Sequence, residues 1–168
     1  ASRQLSDVIQ HDLSSSGQFR LIAERQGTPH GQEGLAMWRH VGADDVVMGE
    51  LRSLGNNRYE INFSLVDAVA QGKVIFSKSF QVSAQELRPL AHHISDIVYE
   101  KLTGVRGVFS TRIAYVLVQR QGQNTHYALE VADYDGFNPQ TLLESSEPIM
   151  SPAWSPDGHQ IACVSFEK

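Results

Sequence analysis

The stretch Ser151-Pro152-Ala153-Trp154-Ser155-Pro156-Asp157-Gly158, followed at once by the apolar run Ile161-Ala162-Cys163-Val164, constrains the fold of this chain more than any other. A similar run, Ile113-Ala114-Tyr115-Val116, begins 48 residues earlier, so the C-terminal third carries an internal repeat. A period of about 40 to 50 residues with several short strands per unit marks a β-propeller blade. Such a unit cannot bury its faces alone, and closed propellers have about four to eight blades. With little more than one unit before Lys168, the chain is expected to be a piece of a longer protein.

The turn itself follows from its residues. Pro156 presets φ, Asp157 can bond its own backbone, and Gly158 takes the positive φ that leads into the next strand. Trp154 is expected to anchor blade against blade, so Ser151, Pro152, Trp154 and Ser155 to Gly158 read as a structural motif rather than a reactive site. Asp135-Gly136 reads as a second turn of the same kind, between a strand at Tyr127 to Tyr134 and one at Gln140 to Leu143. With Ile113 to Val118, these make residues 108–168 all-β.

Residues before the repeat mix helices and strands. Leu5, Val8, Ile9, Asp12 and Leu13 have helical spacing, with Gly17 placed to end the helix. Phe19 to Ala23 reads as a short strand, residues 26–34 as a glycine-rich loop, and Leu35 to Val41 as a short helix closed by Gly42. Val46 to Leu51 begins as a continuous apolar run that suits a strand buried on both faces. Tyr59, Ile61, Phe63 and Leu65 alternate with polar residues, a half-buried strand. After a turn at Gln71-Gly72, Val74, Phe76, Phe80 and Val82 resume the alternation, interrupted by Lys78.

Ser83 and Glu86 have capping-box spacing ahead of a helical stripe from Leu87 to Leu102 that Gly104 ends. Pro89 fits this helix badly, because it removes a backbone donor, so the helix is expected to start near Arg88 or to kink there. Gly104 to Gly107 reads as a hinge. The boundary is therefore expected between an α/β domain with a mixed sheet, residues 1–107, and the all-β part, residues 108–168. Such domains often open on a central strand, and a first strand is expected to precede Ala1.

Little in the chain points to chemistry. The net charge of −5 argues against a nucleic-acid partner, and no apolar run approaches the length of a membrane span, so no membrane insertion is expected. The single cysteine, Cys163, excludes an internal disulfide and a multi-cysteine metal cluster, and a strand cysteine usually behaves as a small buried hydrophobe. His92 and His93 diverge around a helix and make a poor chelating pair. Asp133, Asp135 and Gly136 lack the further acids of a calcium loop. No nucleophile elbow, zinc-helix motif or phosphate-binding glycine loop is present. The expectation is a non-enzyme without cofactor or metal.

The ordered motifs resemble the TolB family of the bacterial Tol-Pal cell-envelope system. They are Asp7-Val8-Ile9 with Asp12-Leu13 and Ser16-Gly17-Gln18-Phe19, Trp38 with Gly42-Ala43-Asp44, and Val98 to Gly104. Thr111 to Val116, Asp133-Tyr134-Asp135-Gly136 and Met150 to Gly158 complete the set. The resemblance implies a small α/β domain joined to a six-bladed propeller, in the periplasm. It also implies a scaffold that binds the lipoprotein Pal through the propeller and TolA through an extended N-terminal segment. Both binding segments are expected to lie largely outside residues 1–168. The alternative is an accessory propeller of a serine hydrolase, which would need a nucleophile elbow beyond Lys168.

Overall fold

The computed structural model describes residues 2–22, 31–122 and 124–167, with the side chains of 31–33 set aside. The chain divides into two compact units, residues 1–107 and 108–168.

In the first unit, α1 (Ser2–Ser15) buries Val8, Ile9, Asp12 and Leu13, two adjacent pairs four residues apart that fall on one face. That face packs on α3 (Leu87–Thr103), which buries Leu87, Leu90, Ala91, Ile94 and Val98. Between them in sequence lie α2 (Gly31–His40) and an antiparallel meander of β1 (Asp45–Gly55), β2 (Arg58–Asp67) and β3 (Lys73–Ser83). Asn56 and Asn57, both at positive φ, join β1 to β2. Asparagine tolerates that region better than most residues, which suits a two-residue hairpin turn.

The alternation in β2 is realised. Ile61, Phe63 and Leu65 are buried on the sheet face that α3 crosses, while Asn62 and Glu60 point the other way. Each of these side chains contributes about 1.5–3 kcal/mol by leaving water.

Several expectations need correction. Residues 19–22 are in no strand, and Ala23 lies outside the described residues. Of the expected loop, residues 26–30 lie outside the described residues, whereas residues 31–34 already belong to α2, whose first turn can absorb the low helix propensity of Gly31 and Gly34. Val46 to Leu51 is not buried on both faces: Val46 is buried but Val47 is 37% exposed, because β1 is the outer strand of the sheet among the described residues. Nor does Val74 share the face of Phe76 and Phe80. A bulge between Leu65 and Val66 moves Val74 opposite Val66 and leaves it 55% exposed.

Pro89 is accommodated without breaking α3. A 3₁₀ turn, Ala84–Glu86, precedes the helix, so Pro89 falls in the first α-helical turn, where its missing N–H would have had no partner inside the helix. Glu86 accepts from both the backbone N–H (2.8 Å) and the hydroxyl (2.7 Å) of Ser83. These two bonds hold its carboxyl below the usual range. At the other end Gly104 takes φ 74°, and its N–H donates to the Glu100 carbonyl at 2.9 Å. A left-handed cap of this kind costs a residue with a Cβ roughly 1–2 kcal/mol.

The second unit is all-β. An antiparallel sheet of β4 (Arg112–Gln121), β5 (Asn124–Asp133) and β6 (Gln140–Ser145) is followed by the antiparallel pair β7 (Ile149–Trp154) and β8 (Ile161–Ser165). Strand β7 packs on β4 and β5, and Leu129, Val131 and Ile149 are buried in this unit. Phe109 is buried edge-on to Tyr134, with ring centroids 5.5 Å apart.

Candidate interaction surface

The residues singled out in the sequence occupy turns and strand ends. Ser151 and Pro152 sit in an irregularity of the β7–β8 pairing between Met150 and Ala153, and Ser151 takes φ 53° there. From Ser155 the turn closes on itself. The Gly158 N–H donates to the Ser155 carbonyl at 2.9 Å, and the Ser155 N–H donates to the Gln160 carbonyl at 2.8 Å. The Ser155 hydroxyl donates to Asp157 Oδ1 at 2.5 Å and accepts from the Gln160 N–H at 2.9 Å. Asp157 Oδ1 also accepts from the His159 N–H at 3.1 Å. The Ser155 bond first, then the His159 bond, hold the Asp157 carboxyl below its usual value. Gly158 has φ 72°, the conformation for which its lack of Cβ suits it.

The Asp135-Gly136 turn uses the same chemistry. Asp135 Oδ1 accepts from the Phe137 N–H at 3.1 Å, and the Gly136 N–H donates to the Asp133 carbonyl at 2.8 Å. Both aspartates thus spend carboxylate oxygens on local backbone donors. The Ser155 hydroxyl likewise is committed on both its donor and its acceptor side, and no histidine stands among its bonded partners.

Trp154 remains 37% exposed at the end of β7. Together with Gly158 it lines a shallow cleft of about 310 Å³ whose other walls are Ser110, Thr111 and Arg112. The structure therefore unites the tryptophan and the last turn residue with the start of β4, about forty residues away in sequence and one repeat earlier. Ser110 was not anticipated; its only signal was its place beside Thr111 and Arg112 at the head of the first repeat. Thr111 is held by its own backbone, its hydroxyl donating to the Val108 carbonyl at 2.6 Å.

Other candidates disperse. Cys163 is half-buried rather than enclosed, on a strand that pairs only with β7 among the described residues. His92 and His93 part company as expected. His92 is buried, its Nδ1 2.8 Å from Asp12 Oδ2, while His93 is exposed and edge-on to Phe80. Among the described residues no helix is long and apolar enough to cross a membrane.

Comparison with known sequences decides the family. The sequence model of the TolB amino-terminal domain matches residues 1–74, and that of the TolB β-propeller domain matches residues 99–168. The chain belongs to the TolB family. The Tol-Pal system protein TolB of Legionella pneumophila strain Paris is 55% identical over 168 residues, spanning all of this chain and 40% of that protein. The protein of the same name from Coxiella burnetii is 52% identical over 169 residues, 97% of this chain and 39% of its own. The crystal structure of TolB from Acinetobacter baumannii superposes with a TM-score of 0.85 at 36% identity, covering 98% of this chain and 41% of that one. The chain thus spans about two fifths of the length of these TolB relatives.

Membership accounts for the fold: a helix-and-sheet unit followed by the beginning of a propeller. Matches to TolB at both ends of the chain replace the serine-hydrolase alternative.

Proposed function

We propose that the chain is part of a non-catalytic, periplasmic scaffold of the Tol-Pal system, whose whole protein binds Pal and TolA and helps maintain the outer membrane through division. The observation that carries this reading is the order of the two matches, amino-terminal domain at 1–74 and propeller at 99–168, in one chain that is 55% identical throughout to a Tol-Pal system protein. In this reading residues 1–107 are the α/β domain and residues 108–168 open the propeller. The Ser151-to-Gly158 and Asp135-Gly136 turns and the Gly104 cap then shape blades and boundary rather than bind a partner. The absorption of Ser155, Asp157 and Asp135 into local hydrogen bonds supports a structural role for them.

Gene replacement tests the proposal. The complete gene carrying this sequence is expected to restore detergent resistance and normal constriction to a bacterium that lacks its own TolB. A complete protein that is made and exported yet leaves the envelope leaky would overturn it.

A further inference from the structure

Lys78 stands where the alternation of β3 calls for an apolar side chain. Its register partner is Phe63, and its neighbours on the same face are Phe76 and Phe80. The three phenylalanines form a row: Phe63 lies 5.7 Å from Phe76 and 6.2 Å from Phe80, ring centre to ring centre. Lys78 does not pair with an acid there. Its Nζ lies 4.8 Å from the centre of the Phe80 ring, and Lys101, reaching over from α3, places its Nζ 5.3 Å from the centre of Phe76. His93 meets the outer side of Phe80 edge-on at 5.9 Å.

Both lysines are exposed, and neither has a carboxylate within 4.0 Å among the described residues. Strand β3 holds two lysines and no acid, in a chain whose net charge is −5. The edge of β3 away from β2 has no strand on it among the described residues. The opposite edge of the sheet differs, since β1 begins at Asp45, carries Glu50, and has Arg52 bound to Glu60 at 2.9 Å.

The geometry points to the β3–α3 border as a docking surface for an extended, acidic polypeptide segment of a partner protein. A strand added to β3 places its side chains about 4.5–5.5 Å, Cβ to Cβ, from those opposite them, so a carboxylate on the Lys78 face comes within reach of that ammonium. The aromatic row beneath holds both cations at a fixed height and lowers the entropy lost when an acid pairs with them. Charge complementarity selects the acidic segment, and the free strand edge selects its extended form.

The competing reading is that Lys78 is only an inward-pointing guard against edge-to-edge aggregation. Fluorescence anisotropy on the whole chain separates the two. The probe is a labelled peptide alternating Glu with Val; the controls are its Lys-for-Glu counterpart, its backbone N-methylated form, duplex DNA and phosphatidylglycerol vesicles. We expect saturable binding of the Glu peptide, weakened about tenfold or more by Lys78→Gln with Lys101→Gln and lost with the N-methylated peptide. Lys101→Gln alone should weaken binding without raising self-association, and Arg120→Gln, on β4 of the second unit, should leave it unchanged. Circular dichroism should show all variants folded. Equal binding by DNA or vesicles would overturn the proposal in favour of unspecific attraction. Aggregation of Lys78→Gln with unaltered peptide affinity would overturn it in favour of the guard.

Discussion

Asp12 and His92 lie 80 positions apart, yet their side chains meet at 2.8 Å with only 0% and 4% of each exposed. They tie α1 to α3 across a contact that also buries Val8, Ile9 and Leu13 of α1. Removing the Asp12 side chain deletes a buried hydrogen bond between ionisable groups, which costs about 1.5–3 kcal/mol. Asp12→Ala should therefore lower the unfolding free energy of the first unit by that amount. The next residue gives the contrast: His93→Ala, on the exposed side of α3, should cost at most about 1 kcal/mol. Urea melts of the two variants with unchanged slope check this. The sequence placed both histidines on a helix and gave each a different environment, but it could not show that the buried one would meet an aspartate from α1. Asp12 reads as an apolar-face position occupied by an acid, and only a partner distant in sequence makes that tolerable.

At the scale of elements, what was legible was periodicity and what was not was neighbourhood. The alternation of Tyr59 to Leu65 and the stripe from Leu87 to Leu102 depend on local spacing, and both elements formed where that spacing placed them. Val46-Val47-Met48 failed as a strand buried on both faces because burial depends on which strands flank it, and nothing local marks β1 as outermost among the described residues. The bulge that displaces Val74 is likewise a property of two strands together. The capping box that the spacing of Ser83 and Glu86 predicts does form, on the 3₁₀ turn ahead of α3, and it makes a pH prediction. Glu86 has a folded pKa below its unfolded value, so its stabilising contribution is present above the ordinary value of 4.5 and is lost as pH falls through the lowered folded one. Amide exchange at Ser83, whose N–H the carboxylate accepts, should accelerate across that acid window relative to the middle of α3. Glu86→Gln should remove the pH dependence.

Taken whole, the molecule distributes its apolar surface unevenly. Among the described residues fourteen buried apolar side chains lie in residues 1–107 and five in residues 108–168, whereas the large exposed ones number eight and ten. The second unit thus keeps more apolar surface in water on a chain little more than half as long. Among the described residues it also shows sheet edges at β6 and β8. It should open at lower free energy than the first, so native-state hydrogen exchange should protect the cores of β2 and α3 longer than those of β4 and β5. Equal protection would show that the second unit needs no further blade to be stable.

Calorimetric titration of the complete protein with purified Pal tests the proposed scaffold role most directly. Saturable one-to-one binding, with no turnover of ester or peptide substrates, is the predicted result. A folded, complete protein that gives no heat with Pal at any concentration reached would contradict it.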